Sequence, residues 1–91
     1  MKKHKITTEQ LHKYGISWED YYSILDAQDR NCAICSASGG RIGEQLVIDH
    51  DHATGKVRGL LCHACNLLLG LANDDIPTFK SSIEYLKNPT W

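Results

Sequence analysis

Cys32-Ala33-Ile34-Cys35 and Cys62-His63-Ala64-Cys65 are two Cys-x-x-Cys pairs, and they flank the segment Asp49-His50-Asp51-His52. Two such pairs in one short chain are typical of a four-thiolate zinc site, because two intervening residues let the backbone wrap around a single ion. A redox pair or unpaired core cysteines are the alternative interpretations. The pattern favours one zinc ion bound by Cys32, Cys35, Cys62 and Cys65.

The chain has 91 residues, which indicates a single domain spanning residues 1–91. We expect a motif core at about 28–74, an N-terminal helical segment at 7–27 and a C-terminal helix at about 76–87. Because a hydrophobic core of this size is marginal without further support, a structural zinc ion would supply the missing cross-link.

The sequence has no run of eighteen apolar residues, and no apolar segment follows its basic N-terminus. It therefore predicts neither a membrane span nor a signal peptide, and we expect a cytoplasmic protein whose thiols stay reduced. The net charge is −1, whereas most nucleic-acid-binding proteins are basic. Lys56 and Arg58 nevertheless form a local basic pair inside the motif region.

Two helices are predicted before the first cysteine pair. Thr7 or Thr8 is expected to cap a short helix that Gly15 closes, and Ser17 with Asp20 resembles a capping box. In the second helix, helical spacing predicts a buried apolar stripe of Trp18, Tyr21, Tyr22 and Leu25. The composition of residues 36–41 is typical of a flexible loop.

Two short strands are predicted at 46–48 and 57–61, joined by a turn in which Gly55 can take a positive φ. A helix is expected from Cys62 or His63 to about Asn73. A last helix should begin at Asp75 and Pro77, with a buried stripe formed by Phe79, Ile83 and Leu86. The predicted fold class is α+β, a hairpin followed by a helix, with flanking helices.

Asp49, His50 and Asn66 carry the groups that a second, catalytic metal site needs. The Asp49 carboxylate and the Asn66 amide oxygen are hard donors suited to Mg²⁺ or Mn²⁺, and His50 is the natural general base. Taken singly, these residues could be a turn cap, a surface residue and a helix-start residue. Strand alternation separates Asp49 from His50, so one shared site requires the chain to bend there.

Neighbouring polar residues have more than one interpretation. His52 could contact phosphate or assist proton transfer, or it could be a solvated loop residue. Lys56 and Arg58 could hold a phosphate of the substrate, although a structural ion pair is the competing interpretation for Arg58. His63 is interpreted as a rim residue, because four thiolates already complete a zinc site.

More than half of the chain matches the pattern of a known family. The matching residues are Tyr14-Gly15, Tyr22, Leu25, Gln28, the first cysteine pair, the run from Val47 to Cys62, and Cys65-Asn66, ending near Gly70. In these residues the sequence resembles the recombination endonuclease VII family of the His-Me finger (HNH, ββα-metal) nucleases, which is found mostly in bacteriophages and prophages.

The resemblance implies a small zinc-stabilised ββα-metal (His-Me finger) domain with flanking helices. It implies zinc at the four cysteines, Asp49 and Asn66 as ligands of the catalytic metal, His50 as the base and His52 near the site. The best-known members are longer and form intertwined dimers through C-terminal helices. Because little sequence follows the motif helix here, we expect a monomer or weak dimer.

A second departure lies in the motif helix. Some members carry a carboxylate one turn after the Asn, where this chain has Leu69 and Gly70. No third protein ligand for the catalytic metal is therefore predicted.

The predicted function is that of a metal-dependent HNH-type DNA endonuclease, which nicks or cuts duplex, nicked or branched DNA with a His-activated water. The resemblance places it as a phage or prophage protein in the cytoplasm of a bacterial host. One alternative is a zinc-stapled DNA- or protein-binding module without catalysis. The other is a thiol redox switch, which would need accessible low-pKa thiolates.

Overall fold

Two antiparallel strands form the centre of the structure, a computed structural model that describes residues 5–36 and 45–91. Strands β1 (Val47–His50) and β2 (Val57–Leu61) follow two helices, α1 (Thr8–Lys13) and α2 (Trp18–Ala27), and precede two more, α3 (His63–Leu71) and α4 (Ile76–Lys87). The predicted α+β class is confirmed. Most of the predicted loop at 36–41 lies outside the described residues.

The first two helices begin as the sequence predicts. The Thr7 side chain accepts from the backbone N–H of Gln10, and the Ser17 side chain accepts from that of Asp20. In each case the third helical residue bonds back to the backbone of the cap, which completes a capping box. These reciprocal bonds satisfy amide donors that a helix otherwise leaves unpaired.

The first three helices end in the same way, each with a left-handed residue one position beyond its cap. Gly15, Asp29 and Asn73 have φ values of 70°, 53° and 52°. In all three the next backbone N–H returns to a carbonyl five residues earlier, as in the bond from Asp74 to Leu69. This is the Schellman arrangement, which satisfies the last carbonyls of a helix. Only the glycine ending was predicted.

The hydrophobic core lies where the hairpin meets α1, α2 and α3. Val47 is opposite Leu61 and Ile48 is opposite Leu60. The buried apolar residues are Ile6, Leu11, Tyr21, Cys32, Leu46, Ile48, Leu60, Leu61 and Cys65. Two cysteines belong to this core, so the metal-ligand cluster and the packed interior are one structure. Of the stripe predicted for α2, Tyr21 is buried, whereas Tyr22 is 47% exposed and stacks on Trp18.

A β-bulge interrupts the hairpin beside the predicted site. Asp49 pairs with Gly59, but His50 pairs with Val57, so Arg58 is the extra residue on β2. A bulge breaks strict alternation and bends the strand locally. The extra residue lies on β2, so β2 is the strand that bends, opposite Asp49 and His50. A bend in β1 itself, which a site shared by Asp49 and His50 would require, stays a prediction.

The outer edge of β2 is covered by the side chain of Gln28, the residue at the C-terminal cap of α2. The Gln28 amide donates to the Leu60 carbonyl at 2.9 Å and accepts from the Leu60 N–H at 2.9 Å. The side chain thus replaces a neighbouring strand and satisfies groups that an open edge leaves unpaired. A Cβ at Gly59 would lie 3.0 Å from the Gln28 Oε1 atom, which favours glycine there.

The predicted buried stripe of α4 is wrong. The helix has the predicted bounds and begins at the Asp75 cap, yet none of its residues is buried, and Ile83 and Leu86 are 52% and 77% exposed. Within the described chain, α4 is not among the helices that pack against another element. Its helical spacing alone predicted an apolar face, but that face has no partner here. Of the described helices, none combines the length and apolar character that crossing a bilayer requires.

Candidate functional site

The four cysteine side chains come together on one side of the core. Their sulfur atoms all lie within 4.8 Å of one another, and those of Cys35 and Cys62 are 3.7 Å apart. A tetrahedral zinc ion with Zn–S bonds of about 2.3 Å holds its sulfur ligands about 3.8 Å apart. All four cysteines are free thiols. The cluster is therefore a candidate zinc site, and its donors fit that ion.

Backbone N–H groups orient the cysteine sulfurs. The N–H of Ile34 donates to Cys32 Sγ, and the N–H of Cys65 donates to Cys62 Sγ, both at 3.4 Å. The second contact makes Cys62 the cap of α3. Each pair is thus held by a tight turn or a helix start, so both sulfurs of the pair face the same point.

The thiols of the cluster differ in how readily they ionise. Burial raises the pKa of Cys32, but hydrogen bonds from the backbone of Cys35, Cys62 and Ile34 outweigh it and lower that pKa to about 6. Burial raises the pKa of Cys65. Because the thiolate is the form that binds metal, Cys32 is readier than Cys65 to make a first contact with an ion.

A second polar cluster lies at the bulge and is centred on Asp49. This carboxylate is buried, with 8% exposure, and accepts two hydrogen bonds from Arg58, from Nε at 2.7 Å and from Nη2 at 3.0 Å. These bonds raise the pKa of the Arg58 guanidinium. Arg58 therefore forms the structural ion pair that the sequence analysis gave as the alternative to phosphate binding. Each carboxylate oxygen retains a further lone pair for another donor or a cation.

His50 lies half-buried between two other rings. The Tyr14 ring is 4.7 Å from it, centroid to centroid, and the His52 ring is 4.9 Å away and nearly perpendicular. Tyr14 comes from the end of α1 and His52 from the turn after β1, so the imidazole of His50 lies between side chains from two parts of the chain. This packing restricts the ring without covering it completely.

The turn between the strands is built by Asp51. Its carboxylate accepts from the backbone N–H groups of Ala53 and Thr54, at 2.8 and 3.1 Å, and these bonds lower its pKa. Gly55 adopts the predicted positive φ, at 77°. Sequence reasoning gave Asp51 no role, although an aspartate that starts a turn containing Thr and Gly is a recognisable signal. The turn carries His52 toward the bulge and leaves Lys56 exposed.

One residue of the polar cluster was missed entirely. Asp74 Oδ2 lies 3.1 Å from His52 Nδ1 and accepts from Arg58 Nη2 at 3.3 Å. Asp74 thus contacts both His52 and Arg58, two residues that the sequence analysis considered separately. No spacing rule points to Asp74, because it reaches the cluster from beyond the end of α3.

Asn66 is half-buried in the first turn of α3, the helix that packs against both strands. It follows the buried Cys65, and consecutive helical side chains diverge by about 100°. Within the described residues, the Asn66 side chain makes no hydrogen bond with the polar cluster at the bulge, which comprises Asp49, His50, His52, Arg58 and Asp74. His63 is the first residue of the same helix, follows Cys62 directly and is half-buried.

The structure is a small α+β domain with a candidate zinc site. Its two-stranded hairpin has an Asp-His pair opposite a bulge, and it leads into a helix whose N-terminal cap and first turn carry two of the four clustered cysteines. The chain belongs to the recombination endonuclease VII family, whose model matches residues 7–88. This finding confirms the resemblance seen in the sequence. It supports a nuclease or recombination-related role in DNA processing.

Relatives of the chain are phage proteins. The Gene 59 protein of Mycobacterium phage L5 is 48% identical over 83 residues, and the Gene 59 protein of Mycobacterium phage D29 is 45% identical over 83 residues. Each match covers 90% of this chain and 50% of the relative. The chain thus spans about half the length of these relatives.

Proposed function

We propose that this chain is an HNH-type (His-Me finger) endonuclease that hydrolyses phosphodiester bonds of DNA. The observation that supports it most is the bulge between Asp49 and His50, in a hairpin that leads into a cysteine-capped helix bearing Asn66. Opposite this bulge, a buried carboxylate and a partly exposed imidazole lie next to each other at the end of β1. Family membership makes a nuclease the first class to consider.

His50 is the proposed general base. An imidazole has an ordinary pKa near neutrality, so it can accept the proton of a water molecule as that water attacks phosphorus. Its packing against the Tyr14 ring, at 4.7 Å, restricts its motion and supports this assignment, because a base must be held in a reactive orientation.

Asp49 and Asn66 are the proposed holders of a magnesium or manganese ion. Both offer oxygen donors, which these hard cations prefer, and the Asp49 oxygens keep free lone pairs beside Arg58. When bound, such an ion supplies neutralisation of the phosphate charge and stabilisation of the leaving oxygen. The cysteine cluster would hold zinc separately, as a structural element.

His52, Lys56 and Arg58 are the proposed phosphate contacts. Lys56 is exposed on the hairpin turn, and Arg58 is anchored at the bulge. Because Arg58 is already paired with Asp49 and Asp74, Lys56 would supply the positive charge that attracts a phosphate to a chain whose net charge is −1. Because the two Gene 59 proteins are phage proteins, we propose that the reaction takes place in the cytoplasm of a bacterial host.

The experiment compares supercoiled, linear and four-way-junction DNA, each incubated with the zinc-loaded chain and magnesium. We expect nicking or cleavage that a mild chelator abolishes and that added magnesium or manganese restores, with zinc still bound. The variant Asn66→Ala should need a higher metal concentration, because one of two protein oxygen donors is lost. Binding of DNA without any cleavage would instead support the zinc-stapled binding module.

A further inference from the structure

We propose that Asp74 is a positioning residue, which holds His52 and Arg58 in place for contact with the DNA phosphate; this inference rests on the function proposed above. Asp74 lies just after α3, and its Oδ2 atom faces both partners. His52 Nδ1 is 3.1 Å away, and Arg58 Nη2 is 3.3 Å away. One carboxylate oxygen thus links the hairpin turn, the bulge of β2 and the end of α3.

The contact with His52 selects one form of its imidazole. A carboxylate beside Nδ1 favours a proton on that nitrogen, which leaves Nε2 as the atom that can face a ligand. The His52 side chain is 63% exposed, so little else restrains it. Its ring stands 4.9 Å from the His50 ring, so fixing His52 also fixes a polar neighbour of the proposed base.

The contact with Arg58 gives the guanidinium a second anchor. Arg58 donates from Nε and Nη2 to Asp49, and Nη2 is shared with Asp74. If Asp49 engages a cation, Asp74 still retains Arg58 at the edge of the site. A guanidinium held by its Nη2 side can present its remaining donors to a phosphate oxygen.

The environment of Asp74 supports a dedicated role. Its side chain is 22% exposed, and within the described chain its Oδ1 atom is buried and accepts no hydrogen bond. A buried acceptor without a donor costs free energy, which a simple surface ion pair would avoid by turning to solvent. The backbone of Asp74 is also left-handed, with φ of 56°, which turns the chain as it leaves α3.

The test uses the full zinc-loaded chain and begins with a readout that does not depend on cleavage. Two-bond ¹H–¹⁵N correlations report which nitrogen of His52 carries the proton in the neutral ring. We expect the Nδ1–H form in the parent and a shift toward the Nε2–H form in Asp74→Asn. The matched control is Asp75→Asn, which removes a neighbouring charge but keeps a side chain able to cap α4, and it should leave His52 unchanged.

Cleavage is then compared in a double-mutant cycle. Asp74→Asn should slow cleavage about tenfold, a typical effect of losing a residue that orients another, and should slow it much less in a His52→Ala background. An Nε2–H form of His52 in the parent, or equal effects of Asp74→Asn in both backgrounds, would overturn the proposal. If the parent does not cleave DNA, the proposed function fails, whereas the tautomer measurement still decides the role of Asp74.

Discussion

The hydroxyl of Tyr21 forms a hydrogen bond between α2 and the residue just before β1. It donates to the Leu46 carbonyl at 2.7 Å, and the residue is 1% exposed. Replacing Tyr21 with Phe keeps the ring but leaves that carbonyl without its donor. We expect a loss of about 1–3 kcal/mol in the free energy of unfolding, measured by urea denaturation at neutral pH. An unchanged midpoint would show that the hydrogen bond does not stabilise the fold.

The same residue predicts a pH dependence. Burial raises the pKa of Tyr21 from 10.0 to about 12. The unfolded chain therefore loses this proton at a lower pH than the folded chain, so the stabilisation is complete below about pH 10 and is lost as the pH rises toward 12. The stability difference between the parent and Tyr21→Phe should shrink across that interval. A constant difference would contradict the burial effect.

Single residues of the candidate site were predictable where their chemistry is distinctive. Paired thiols indicate metal binding in any fold, and the four cysteines do come together. The roles given to Asp49 and His50 stay predictions. Asp74 was not predictable, because its role depends on the direction in which the chain leaves α3. The partner of Arg58 was likewise open, since a cation on a strand can face a carboxylate or a phosphate equally well.

Among the secondary-structure elements, local sequence signals predicted where each helix begins. They predicted less well which neighbours each helix packs against. Capping boxes and the Asp75 cap act within a few residues, so they can be recognised directly in the sequence. Burial depends on residues far along the chain. Both the apolar stripe of α4 and the role of Gln28 as a cover for β2 therefore required the structure.

Because α4 packs against no other element of the described chain, we expect leucine substitutions in the core and on α4 to differ in their effect on stability. Leu60 is fully buried in β2, whereas Leu86 is 77% exposed on α4. Leu60→Ala should destabilise the chain by about 2–5 kcal/mol, because it leaves a cavity in the core. Leu86→Ala should change the free energy of unfolding by less than about 0.5 kcal/mol, the usual range for surface positions. A large loss for Leu86→Ala would mean that α4 does pack against the domain.

For the molecule as a whole, the cysteine cluster and the core form one folding unit. Cys32 and Cys65 are buried among the apolar residues and are also candidate metal ligands. Removing zinc with a strong chelator should therefore unfold the chain, seen as loss of the far-ultraviolet circular dichroism signal. Cys65→Ser should have the same effect, whereas His63→Ala should retain about one zinc per chain, the loading of a single tetrahedral site. A cooperative melt of the metal-free chain near the parent temperature would contradict this view.

We propose that folding and chemistry depend on different residues, so that zinc serves the fold and His50 serves the reaction. The direct measurement is the rate at which His50→Ala nicks supercoiled plasmid DNA in magnesium. The matched control is His12→Ala, at an exposed position in the last turn of α1. His50→Ala should keep its zinc and its melting temperature but lose about two to four orders of magnitude in rate, the usual contribution of a general base. His12→Ala should match the parent. Equal nicking by His50→Ala and the parent would show that His50 is not the general base.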